Sequence, residues 1–229
     1  MPDNLFGVDG FAVDNSGNLV IPCFAIGRTQ EMLYLIREIK EKRLVHGHGD
    51  FPVWVDSPLA VEATNIYDND EELIDFYDKE TLSLLKDGID PIKFKGLNLS
   101  VTSDDSKRIN FDNKPKVILS ASGMCEAGRI RHHLKHNLWR KECTVLFVGY
   151  QAHGTLGRML IDGARNIKLF SEDIQVRAKI ETLDGISGHA DKQMLLDWLD
   201  NINTVPLKVF VNHGDDNSCE NFAETVKTA

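Results

Sequence analysis

The chain has 229 residues, 42% of them hydrophobic and 27% charged, enough to bury a sizeable core in one domain or two. Its formal net charge of −9 excludes a generally basic nucleic-acid binder, so any polyanion must be met by a local basic patch or by bound metal ions. No apolar run approaches the roughly 20 residues of a bilayer span, the start lacks the regions of a signal peptide, and a cytoplasmic location is expected.

The elements alternate along the chain. Residues 18–26, "NLVIPCFAI", form a continuous apolar run, as in a strand covered on both faces. "RTQEMLYLIREIKEKR" follows with Met32, Leu35, Ile36 and Ile39 at helical spacing and basic residues at its end. Next comes "VHGHGD", where His46, His48 and Asp50 alternate like metal ligands. Its two glycines between a helix end and a strand read better as a loop. A second strand, residues 52–57, leads into Ser57-Pro58, an N-cap with proline at the first helical position. Residues 68–95 are acidic and weakly periodic, a helical excursion.

Three more strands are predicted at 97–103, 116–122 and 143–150, with a basic helical segment, "EAGRIRHHLKHNL", between the last two. This alternation predicts an α/β fold with a mostly parallel sheet flanked by helices. After about Ile167 come short strands, "DGISGHAD", a helix, a strand at 207–214 and a final helix, with the texture of part of another sheet. Two domains are expected, at 1–184 and 185–229. The four cysteines, Cys23, Cys125, Cys143 and Cys219, form no CxxC pair, so reduced thiols are expected rather than a zinc ribbon or disulfide framework.

Local chemistry suggests a phosphate-binding surface. "SASGMCEAGR" ends a strand and opens a helix, so small Ser122 and Gly123 would let backbone N–H groups approach an anion, with Arg129 adding charge. Strand-to-helix turns also use Ser and Gly for steric reasons alone. Arg28 and Arg158 stand in similar places and either line a cleft or cap a helix. From Glu126 to Lys141 there are five Lys or Arg, with His132, His133 and His136 among them. Aromatics do not interleave with these cations, which argues against single-strand binding by base stacking. No GxGxxG or Walker A sequence is present to support a nucleotide-binding Rossmann domain.

Taken together, "NLVIPCFAIGRTQEMLYLI", "VWVDSPLAVEATNIY", "VILSASGMCEAGRIRHHLKHNL", "VLFVGYQAHGTLGRML", "ISGHAD" and "VNHGDD" resemble the β-CASP family of metallo-β-lactamase-fold ribonucleases. The bacterial and archaeal members similar to the 3′-end-processing nuclease of the cleavage and polyadenylation machinery are nearest. The resemblance implies an RNA-processing, zinc-dependent hydrolase with two Zn2+ ions in the intact active site. It implies that His213 is a metal ligand, that His189 acts on the scissile phosphate, and that Ser187 donates to phosphate. It further implies that the chain is a β-CASP domain followed by a returning segment of a metallo-β-lactamase domain. The N-terminal domain with its HxHxDH motif would then be missing, and the chain inactive alone. "VHGHGD" does not supply that motif, because Phe51 stands where a histidine is needed. RNA, the missing domain and a second copy in a homodimer are the expected partners, with no membrane. The rival expectation is a non-catalytic RNA- or protein-binding scaffold of the same fold.

Overall fold

A computed structural model describes residues 17–45, 50–69, 71–183, 185–186 and 188–228. The chain divides into two compact units, Met1–Asp184 and Gly185–Ala229.

The first unit is built on a six-stranded sheet in the order β3-β2-β4-β1-β5-β8, in which every pairing is parallel. Its strands are β1 (Leu19–Pro22), β2 (Val53–Asp56), β3 (Leu97–Ser100), β4 (Val117–Ser120), β5 (Thr144–Phe147) and β8 (Lys179–Thr182). Between them run α1 (Arg28–Glu41), α2 (Pro58–Asn69), α3 (Lys79–Lys86), α4 (Ser103–Phe111), α5 (Ile130–Asn137) and α6 (Leu156–Ile161). A 3-10 turn covers Glu71–Phe76, and β6 (Asn166–Leu169) and β7 (Glu172–Gln175) form a separate antiparallel hairpin.

Crossover direction sorts the helices into layers. The connections through α1 and α2 move one way along the sheet, and those through α4, α5 and α6 move the other way. Right-handed crossovers therefore put these two sets on opposite faces. Side chains divide by the strand period of two. Val20, Ile118, Val145 and Phe147 join Ile109 of α4, Ile130 and Leu134 of α5, and Leu156 and Leu160 of α6 in one buried cluster. Ile21, Leu119 and Leu146 alternate with them and are buried too, as are Met32, Leu33, Leu35 and Ile36 of α1. A strand buried on both faces reads as an unbroken apolar run, which is why these four-residue strands are conspicuous in sequence.

The strands are shorter than their apolar runs. Pairing stops at Pro22, Ser100, Ser120 and Phe147, where the chain turns out of the sheet toward the next helix. Helix starts follow side-chain chemistry. Ser57 Oγ accepts from the Ala60 N–H at 3.3 Å, and Thr102, Thr155 and Asp78 cap α4, α6 and α3 in the same way. Helix α4 is short and polar (SDDSKRINF) and shows little apolar periodicity, so its cap is its clearest signal.

In the second unit, α7 (Lys192–Asp200) is capped by Asp191, whose carboxylate accepts from the Met194 N–H at 2.9 Å, and α8 (Asp216–Thr228) closes the chain. The strand expected over 207–214 is not formed. Leu207 is 97% and Phe210 84% exposed. A strand exists only through hydrogen bonds to a neighbour, and among the described residues this segment has none. "VHGHGD" has residues 46–49 outside the described residues. Its Asp50 pairs with Lys40 at 2.6 Å.

Candidate nucleic-acid interface

The C-terminal ends of the parallel strands converge on a buried carboxylate. Asp56 ends β2 and Ser100 ends β3, directly opposite each other in register. Parallel register puts their side chains on one face, and Ser100 Oγ donates to Asp56 Oδ1 at 2.7 Å. Ser106, in the first turns of α4, donates to Oδ2 at 2.6 Å. Arg129 Nη1 reaches Oδ1 at 2.8 Å, and His133 Nε2 lies 2.6 Å from Oδ2. On its other side His133 Nδ1 meets Asn110 Oδ1 at 2.8 Å. The backbone is tied in as well, since Ser120 Oγ donates to the Asp56 carbonyl at 2.8 Å.

Four strand ends and helices are thus joined at one side chain that solvent does not reach. Burial opposes ionisation of Asp56, but the hydrogen bonds from His133, Ser106 and Ser100 outweigh it and lower its pKa to about 2. Arg129, His133 and Asn137 recur every four residues on α5 and form its inward stripe. Asn137 continues the network, donating to the His133 carbonyl and accepting from Asn18 Nδ2, each at 2.8 Å.

This geometry gives Arg129 a different place from an open phosphate clamp. Its guanidinium also donates to the Val101 carbonyl at 2.6 Å, and its side chain is 19% exposed. Ser122 and Gly123 lie in the β4–α5 loop beside the β1–α1 loop. A Cβ on Gly123 would stand 3.2 Å from the Phe24 ring, so a residue with no side chain allows the two loops to touch. Gly128, at φ +80°, brings the loop back to within 2.5 Å of where its own Cβ would meet the Ala121 carbonyl. Arg28 pairs with Glu31 at 2.7 Å, and Arg158 pairs with Asp162 through two contacts of 3.0 and 2.8 Å. Arg28, Arg129 and Arg158 each have a carboxylate partner in this structure.

The outward face of α5 carries a second group. Arg131, His132 and Phe170 line an open groove of about 840 Å³ with Gly128, Arg129, Lys168 and Ser171. Phe170 sits at the tip of the β6–β7 hairpin. Its ring stacks on His132 with centroids 4.4 Å apart and planes 22° from parallel. The Arg131 guanidinium carbon lies 5.7 Å from the same ring centre. The hairpin is anchored by Ile167, Leu169 and Ile174 in the core and by Lys135 to Glu172 at 2.6 Å. Partial burial and the neighbouring cations hold His132 below the usual imidazole range. The aromatic ring that sequence adjacency lacked is supplied by a turn some forty residues downstream. In sequence its signal is only "LFSE", in which no Gly, Asn or Asp announces a hairpin.

In the second unit His189 is exposed and precedes the Asp191 cap, and His213 is exposed with a positive φ of 63° before α8. Ser187 lies outside the described residues. Among the described residues no three His, Cys, Asp or Glu side chains come together in a way that could hold a metal ion. The cysteines are free, and burial pushes the thiols of Cys125, Cys23 and Cys143 upward. Among the described residues no helix is long and apolar enough to cross a membrane.

Comparison with known proteins agrees with this architecture. Residues 29–160 match the Beta-Casp domain, and residues 173–229 match the Zn-dependent metallo-hydrolase RNA specificity domain. Ribonuclease TTHA0252 of Thermus thermophilus is 35% identical over 189 residues, covering 82% of this chain and 42% of its own length. Transcription termination factor FttA of Methanocaldococcus jannaschii is 29% identical over 220 residues, and that of Methanothermobacter thermautotrophicus 31% over 222. These two alignments cover 93% and 92% of this chain, and 33% of each relative. The chain thus spans between a third and a half of the curated relatives it matches. With a matching model over more than half its length and a doubly wound parallel sheet to go with it, the chain belongs to the Beta-Casp domain family.

Proposed function

We propose that the chain is the RNA-contacting part of a zinc-dependent ribonuclease, in which it positions an RNA strand for phosphodiester hydrolysis. The observation that carries this reading is the cationic and aromatic face of α5 on a Beta-Casp domain, since that face is a local exception on a chain of net charge −9. The relative named a ribonuclease and the RNA specificity domain support the same chemistry.

His213 would supply one metal ligand and further ligands would have to join it, because no cluster of three forms among the described residues. Zinc, when bound, supplies Lewis-acid stabilisation of phosphate oxygens and an acidified water. His189, in the bend ahead of α7, would give a proton to the leaving oxygen, a role suited to an imidazole near neutral pH. Ser187 would donate a hydrogen bond to the phosphate. On its own the chain binds RNA without cutting it.

Incubation with end-labelled RNA and zinc tests both statements. Retarded but intact RNA is the expected result, and stoichiometric zinc with cleavage from this chain alone would overturn the reading. In a polypeptide that joins this chain to an HxHxDH domain, His213→Ala should lower zinc content and abolish cleavage. Full activity there would reject the ligand assignment.

A further inference from the structure

We propose that the tip of the β6–β7 hairpin and the outward face of α5 form a subsite for one nucleotide of single-stranded RNA. The base extends the His132–Phe170 stack, and its phosphate is held by Arg131 and Lys168. This rests on the RNA-binding reading and says where on the first unit a strand is gripped.

The groove has the two parts that sequence-tolerant binding to a single strand requires, a flat ring and flanking cations. Phe170 is 44% exposed although stacked, and His132 is exposed as well. The pair is therefore a solvent-exposed stack rather than a buried core contact. Lys168 is exposed and makes no ion pair among the described residues. Arg131 donates to the Glu126 carbonyl at 2.8 Å, which fixes the guanidinium without neutralising it. Of the nearby carboxylates, Glu172 is taken by Lys135. Asp173 lies across the hairpin from Lys168 in register, with no ion pair between them. Arg129, committed to Asp56, contributes the groove wall more than a free charge.

The turn itself is an independent observation. Lys168 pairs with Asp173 and Leu169 with Glu172, leaving Phe170 and Ser171 as a two-residue loop. Both have positive φ, 50° and 66°. Such turns are made readily by Asn-Gly or Asp-Gly, whereas the left-handed conformation is disfavoured for a residue with a Cβ. A bulky ring kept there, on an exposed turn, is the pattern of strain retained for a contact.

The test is fluorescence anisotropy with a labelled oligouridylate at low salt, using the whole chain and Phe170→Asn. Asparagine suits the turn, so this variant should melt at the same or a higher temperature, and a folding defect cannot mimic a binding defect. The expected result is a Kd raised about fivefold or more, with Phe170→Trp retaining wild-type affinity. An abasic oligomer of the same length should bind more weakly and be indifferent to Phe170→Asn. Lys168→Ala should weaken both ligands and flatten the salt dependence by about one counterion. If the wild-type chain does not bind RNA at all, the RNA-binding reading falls. If it binds and Phe170→Asn binds equally well, only this subsite falls. An acidic peptide that displaces RNA and shows the same loss with Phe170→Asn would overturn the proposal in favour of a protein ligand.

Discussion

Asp56 is the residue on which the first unit turns. Four hydrogen-bonding side chains reach its carboxylate in a place closed to water. Removing the negative charge while keeping the shape leaves Arg129 and His133 facing a neutral amide. Asp56→Asn should therefore destabilise the chain by about 3–5 kcal/mol, the usual cost of orphaning one member of a buried ionic group, as measured by urea denaturation. The same carboxyl gives a pH signature. Its folded pKa of about 2 is below the ordinary value of 3.8, so its contribution is fully present above pH 4. That contribution is lost as pH falls from about 4 toward 2, where the folded group finally protonates. Stability of the wild type should fall over that window by roughly 2 kcal/mol more than that of Asp56→Asn. In sequence, Asp56 is only the last letter of "VWVD", and nothing local separates it from a surface aspartate. Its partners come from residues 100, 106, 129 and 133 and meet only when β2, β3, α4 and α5 are in place.

At the scale of elements, α5 shows how one helix serves two purposes. Its sequence reads as a basic segment, yet Arg129, His133 and Asn137 point inward to the polar network. Arg131, His132 and Lys135 point outward to the hairpin. Helical period assigns these faces once one inward residue is known, but it does not say that a polar stripe rather than Leu134 and Leu138 alone will be buried. The β6–β7 turn is the counterpart. Ser171→Gly removes a left-handed Cβ at φ 66° and should raise the stability of the chain by about 0.5–1 kcal/mol, read as a higher melting temperature. The cap of α2, by contrast, is legible in sequence, since Ser57-Pro58 stands where its side chain and the proline ring require a helix to start.

For the whole molecule, charge decides the character of the expected RNA binding. A chain of net charge −9 repels a polyanion at long range, and the proposed groove with Arg131 and Lys168 would attract one at contact distance. Affinity should therefore be modest and shallow in its salt dependence, with a slope of log Kd against log salt of about one to three rather than the steep slopes of basic nucleic-acid-binding domains. Titration over a series of salt concentrations reads this directly, and a slope beyond about six would point to a larger basic surface than the described groove. The second unit contributes differently. Met194, Leu195 and Trp198 of α7, with Val205, Leu207 and Phe210 after it, are exposed, and among the described residues the apolar run at 207–214 has no neighbouring strand to pair with.

The sequence by itself determined the alternation of strands and helices over most of the first unit, the parallel sheet, the start of α2 and the family. All of these rest on periodicities, caps and motifs carried by neighbours in the chain. It also marked His189 and His213, through motifs that need no folding to be read. Only the tertiary structure decided which polar residues are buried together, that Arg129 serves Asp56, and that Phe170 lies on His132. Those relations join residues tens of positions apart, and their energies come from exclusion of water and from register, neither of which exists until the sheet has formed.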